Sequence, residues 1–117
     1  MNRDLVYLRH IADATERVEE YASVGQGRFF AESHWQDAVI RQLEIIGEAT
    51  KKLSESIREE NPDIPWRRIA GMRDVLIHDY FRVDLSAVWE VTQKEVPFLA
   101  ARVRVLIGMA EDSPGDG

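Results

Sequence analysis

Cysteine is absent from this 117-residue sequence, which removes disulfides, thiol nucleophiles and zinc thiolates at once. Long apolar runs are absent too, and no stretch approaches the roughly 18 to 20 residues that a membrane helix needs. The opening Met1-Asn2-Arg3-Asp4 carries an acid and leads into further charges, unlike a secretory signal. A cytoplasmic setting without a membrane partner is expected. β-Branched alternation is missing, which argues against strands. Histidine is scarce: His10, His34 and His78 are the only three, with no pair at helical ligand spacing and no H-E-x-x-H. No metal and no cofactor are therefore expected within one chain. Gly25-Gln26-Gly27-Arg28 starts like a dinucleotide-binding turn but lacks the third glycine and a preceding strand. There is no phosphate-binding P-loop and no serine in a nucleophile elbow. His10 and His34 read as ordinary surface or partly buried histidines.

What remains has the composition of a folded domain. Hydrophobic residues make up 44% and charged residues 31%, the balance of a globular chain, and the length suits one domain. Periodicity predicts an all-α fold, a bundle of four to five helices over residues 1–110. The first helix is expected from Asn2, a good N-cap, to about Val24, with Leu5, Leu8, Ile11, Ala12, Thr15 and Val18 in one stripe. Gly25-Gln26-Gly27 should break it. The second is expected from Ser33, which with Gln36 has capping-box spacing, to about Glu60, before Asn61-Pro62. Val39, Leu43, Ile46, Thr50, Leu53 and Ile57 would face inward. So long a helix would reach roughly 40 Å at 1.5 Å per residue and offer overhanging surface to a second copy. Gly47 in its middle costs about 1 kcal/mol against alanine, which close approach of another backbone would explain, as would simple tolerance.

The third helix follows Pro65, turns Trp66, Ile69, Met72 and Leu76 inward, and closes near Tyr80. The fourth begins after Asp84 and runs to about Met109, with Leu85, Val88, Val91, Leu99, Val103 and Leu106 near one face and a kink at Pro97. Residues 111–117, acidic and containing proline and glycine, are expected to form a disordered tail.

The net charge of -6 argues against a protein that grips nucleic acid over its whole surface. The charge is uneven, however. Between Trp66 and Arg82 lie Arg67, Arg68, Arg73 and Arg82 against Asp74 and Asp79. Such a strip is either a short phosphate contact or a solvated helix face. Within it, Arg73 to Tyr80 gathers a fixed cation, a histidine and a phenol. Cleaving RNA without a metal needs a base to take the 2′-hydroxyl proton and a cation to steady charge on the phosphate oxygens. Histidine is the natural base near neutral pH, and arginine matches phosphate with two parallel hydrogen bonds. By composition alone, an arginine and a histidine on a helix are more often structural. At about 100° per residue, Tyr80 falls about 20° from Arg73, whereas His78 falls about 140° away. Asp74, four residues before His78, can reach it as an orienting carboxylate or a plain helix pair. A straight helix therefore does not focus Arg73 and His78 on one atom. Either the helix loosens near His78, or a second chain completes the site.

Arg73-Asp74-Val75-Leu76-Ile77-His78-Asp79-Tyr80 resembles the R-x4-H-x-Y motif of the HepT-like toxins, a branch of the HEPN superfamily. Ile45-Ile46-Gly47-Glu48-Ala49, followed by Pro65-Trp66-Arg67-Arg68-Ile69-Ala70-Gly71-Met72-Arg73, is similar to the second and third helices of that family. The likeness extends roughly from Asp4 to Arg104. It implies a HEPN-type bundle forming a homodimer, with Arg73 and His78 as a metal-independent ribonuclease pair in a cleft between subunits, and Asp74 and Asp79 in support. It also implies an MntA-like nucleotidyltransferase antitoxin that attaches AMP to Tyr80, placing bulky negative phosphate beside Arg73 and silencing RNA cleavage. The alternative is a non-catalytic helical dimer that serves as docking partner and substrate of such a nucleotidyltransferase.

Overall fold

Helix α1 (Arg3–Ala22) carries Asp4 in its first turn, where a carboxylate offsets the positive end of the helix dipole. Leu8, Ile11, Thr15, Val18 and Ala22 recur every three or four residues and are buried. The computed structural model describes residues 3–78 and 83–112, with no strand among them. Seven helices follow one another in that part of the chain: α1, α2 (Gln26–Ala31), α3 (Ser33–Lys52), α4 (Glu55–Glu60), α5 (Trp66–His78), α6 (Leu85–Gln93) and α7 (Glu95–Glu111). The all-α bundle is as expected. Its long axes pack in sequence, α7 on α1, α1 on α3 and α3 on α5, with α6 against α7.

Three expectations about helix limits change. After α1 the chain turns at Gly25, whose φ of 98° lies where glycine is favoured, and then makes a short helix that the sequence reading did not include. Phe29 anchors α2: it is fully buried, with its ring 5.1 Å from that of Trp89. The Ser33–Gln36 capping box is not formed. Glu32 occupies the cap position, but its carboxylate accepts from Arg28 and Trp35 rather than from the α3 backbone, and Gln36 Nε2 donates to the carbonyls of Phe29 and Phe30 at the end of α2.

The expected second helix is two. Leu53 N donates back to the Thr50 carbonyl at 3.2 Å, closing α3, and Ser54 starts α4 by accepting from Ile57 N. Asp4 fixes this break from 50 residues away, accepting from Ser54 N at 2.8 Å and from Ser54 Oγ at 2.6 Å. With 20 residues, α3 is about 30 Å long, so the overhang once expected to seat a second copy is lost.

The expected fourth helix is interrupted too. Pro97 has no N–H for the Gln93 carbonyl four residues back, and its ring crowds that carbonyl. The break accordingly falls at Lys94, between α6 and α7. Asp84 caps α6 as expected, accepting from Ser86 N and Ala87 N. Glu111, assigned to the tail, ends α7 and accepts from Arg9 at 2.6 Å; the rest of the expected tail, from residue 113, lies outside the described residues.

Candidate functional site

The start of α5 is fixed by apolar burial and by one buried donor. Trp66 is 6% exposed and its Nε1 donates to the Asn61 carbonyl at 3.0 Å, while Ile69 N donates to the Pro65 carbonyl. Arg102 holds the preceding loop, donating from Nε to Asp63 at 2.8 Å and from Nη2 to Asn61 Oδ1 at 3.0 Å. From that anchor, Ile69 and Leu76 turn into the core, and Arg73 between them comes against α3.

Gly47 sets how close that approach is. A Cβ built at Gly47 would stand 2.5 Å from the Arg73 Cβ and 3.2 Å from the Ile69 carbonyl oxygen. Of the two explanations for this glycine, close approach is the one the structure supports. With the backbone of α5 lying on α3, the guanidinium of Arg73 reaches back across α3. Its Nε meets Glu48 Oε2 at 2.9 Å and its Nη1 meets Asp74 Oδ1 at 3.4 Å. Lys51, one turn beyond Glu48, meets the same Asp74 oxygen at 2.7 Å. The hydrogen bond and charge of Lys51, followed by those of Arg73, hold the Asp74 carboxyl below the usual carboxylate range. Such exposed pairs add little stability. They fix direction: Glu48 and Asp74 take one edge of the guanidinium each.

Arg73 opens onto a groove of about 240 Å³ between α1, α3 and α5. Tyr7 and His10 of α1, Arg41, Glu44, Glu48 and Lys52 of α3, and Arg73 line it. The rings of Tyr7 and His10 stand edge to face at 5.7 Å. His10, expected to be an ordinary surface or partly buried histidine, is exposed, yet it shares this groove with Arg73. Nothing in the sequence marks Tyr7, His10 or Lys52 as neighbours of Arg73, since they come together only when three helices pack. On α3 alone, Arg41, Glu48 and Lys52 do follow helical spacing.

The expected partner of Arg73 is not in this groove. His78 is the last residue of α5, exposed, and absent from the lining; Ile77 lines the groove instead. This agrees with the wide angle between positions 73 and 78 on one helix. The anticipated contact of Asp74 with His78 is also not made among the described residues, because Lys51 offers Asp74 a charged donor from the facing helix. Asp79 and Tyr80, the remaining members of the motif, lie outside the described residues. No group of three or more His, Asp or Glu side chains among the described residues is arranged to hold a metal ion, and no described helix is long and apolar enough to cross a membrane.

A family model described as ribonuclease HepT-like matches residues 11–106. A Thermococcus cleftensis protein named "Probable ribonuclease HepT" is 42% identical over 101 residues, covering 86% of this chain and 92% of the relative. A Methanocaldococcus jannaschii protein, whose name joins a gamma-glutamylcyclotransferase to a provisionally assigned RNase, is 46% identical over 105 residues. That match covers 88% of this chain but only 47% of the relative. A Caldanaerobacter subterraneus protein, also provisionally named an RNase, is 40% identical over 102 residues, 86% of this chain and 91% of its own length. No solved structure matches. With most of its length matched by the family model and by relatives above 40% identity, the chain belongs to the ribonuclease HepT-like family.

Proposed function

We propose that this chain is the toxin of a type VII HEPN/MNT toxin–antitoxin module, acting in the cytoplasm as a metal-independent endoribonuclease. The observation that carries the reading is Arg73: the arginine of an intact R-x4-H-x-Y motif, backed onto Gly47, oriented by Glu48 and open to a groove. In the proposed reaction His78 takes the proton from a 2′-hydroxyl, O2′ attacks the adjacent phosphorus, and the bond from phosphorus to the 5′-oxygen breaks. Arg73 steadies the charge on the non-bridging oxygens. A 2′,3′-cyclic phosphate and a 5′-hydroxyl end result, the latter taking up a proton.

The separation of His78 from the Arg73 groove favours a site completed by a second chain. So does Ile77, an apolar side chain 42% exposed at the edge of the Arg73 groove, which suits burial against another copy. An MntA-like nucleotidyltransferase would then neutralise the dimer by attaching AMP to Tyr80.

Purified protein is expected to cut RNA in the presence of EDTA, and His78→Ala to abolish the cutting. Equal cleavage by the variant would sink the assignment. The second reading, a docking partner and nucleotidyltransferase substrate without turnover, draws on the same distance between His78 and Arg73. It predicts AMP on Tyr80, seen by mass spectrometry after incubation with the partner and ATP, in a protein that leaves RNA intact.

A further inference from the structure

The groove at Arg73 does not end at Lys52. A second hollow, of about 330 Å³, is lined by Arg3, Asp4, Lys51, Lys52 and Ser54. Lys52 lines both hollows. A second link joins them: the Arg3 guanidinium lies 5.9 Å from the centre of the Tyr7 ring, which lines the first groove. Arg73, Arg41, Lys52, Lys51 and Arg3 therefore border a line of two adjoining hollows, on a chain whose net charge is -6. From Arg41 to Lys52 it follows α3 for about 16 Å.

The balance of charge within these hollows favours an anion. Five cations line the two hollows against three carboxylates, Asp4, Glu44 and Glu48. Glu48 is paired with Arg73, Asp4 is bonded to the backbone and hydroxyl of Ser54, and Lys51 is paired with Asp74, which lines neither hollow. Among the described residues no carboxylate lies within ion-pairing distance of Arg41 or Lys52. The hollows adjoin at Lys52, and their cations are spread along α3 and α1 rather than gathered around one point. A linear polyanion fits them better than a compact ligand. Single-strand sites pair a cationic groove with aromatic side chains, and Tyr7 and His10 supply the aromatic part on α1.

The geometry points to a binding track for single-stranded RNA that leads from Arg73 along α3, past Arg41 and Lys52, to Lys51 and Arg3. It rests on the ribonuclease reading above and adds to it the path of the strand away from the cut. Arg41 and Lys52 hold backbone phosphates there without reading sequence.

The test uses the full chain in the His78→Ala background, so that the probe survives titration. Binding of a short fluorescein-labelled oligouridine is followed by anisotropy as salt rises between about 50 and 200 mM. Each single-strand phosphate contact contributes roughly 0.7 to the slope of log K against log salt. Arg41→Ala together with Lys52→Ala should therefore flatten the slope by about 1.4. Arg17→Ala with Arg104→Ala removes the same charge from exposed positions that line neither hollow and should leave the slope unchanged. All four positions are exposed, and matching melting temperatures confirm that the variants fold. Equal flattening by both pairs, or none by the Arg41/Lys52 pair, overturns the track while cleavage by the parent protein keeps the ribonuclease reading intact. A parent protein that neither binds nor cuts RNA overturns both.

Discussion

Replacing Gly47 by alanine decides whether the contact of α3 with α5 is as tight as it looks. Propensity alone favours the change: alanine in a helix interior is worth about 1 kcal/mol over glycine. Packing opposes it. The new methyl would sit 2.5 Å from the Arg73 Cβ, about 1 Å or more inside the roughly 3.5–4.0 Å optimum for two carbons. The atoms it meets are the Cβ and Cα of Arg73 and the carbonyl of Ile69, none of which can swing aside as a side-chain tip would. Relief requires α5 to move off α3. Overpacking of this kind costs about 1–3 kcal/mol, and the rigidity of the neighbours places Gly47 in the upper part of that range. Net of propensity, Gly47→Ala is expected to destabilise the fold by about 1–2 kcal/mol. At roughly 4–8 °C per kcal/mol for a domain near this size, the melting temperature followed by circular dichroism should fall by about 5–15 °C. An unchanged or raised melting temperature would refute the reasoning, because propensity would then have won and the helices would have room to spare.

Two further outcomes follow from other contacts. Phe29→Ala removes a fully buried ring that ties α2 to α6 through Trp89; urea unfolding should show a loss of about 3–5 kcal/mol, and a loss under 1 kcal/mol would mean that α2 is not part of the cooperative core. Asp63 is held below the usual carboxylate range by its hydrogen bond from Arg102, so the stabilisation it gives is present above the unfolded value of about 4 and is lost as the pH falls through the folded one. Asp63→Asn should therefore melt below the parent at pH 7, with the gap narrowing as the pH falls into the acid range; a gap that does not depend on pH would argue against the ion pair.

The helical core was legible because each stripe obeys a local rule. Leu8, Ile11, Thr15 and Val18 are buried at the spacing that announced them, as are Val39, Leu43, Ile46 and Thr50. Proline chemistry also carried through, for Pro97 interrupts a helix where its missing donor requires it. The break at Leu53–Ser54 was not legible. The apolar rhythm of Thr50, Leu53 and Ile57 runs straight across it, and what stops the helix is Asp4, claiming the Ser54 N–H from the far end of the chain. Gln36 misled for a related reason: its amide serves the carbonyls of α2, an element without a stripe long enough to announce it. At the site, Gly47 and Arg73 could be singled out on the sequence, one by its cost and the other by its motif. His10, Arg41 and Lys52 could not, since only the packing of α1 and α5 on α3 brings them to one groove.

The seat of Arg73 on Gly47 divides that arginine into two parts. The fold uses its Cβ, which any residue but glycine supplies; the chemistry proposed for it uses only the guanidinium. Substitution at position 73 can therefore spare the architecture while removing the charge, whereas substitution at position 47 strains the architecture and displaces the charge together. Among relatives, a chain that keeps the glycine but has lost the arginine would be a well-folded protein with no cation at the reacting phosphate, and position 73 alone would separate it from a working copy.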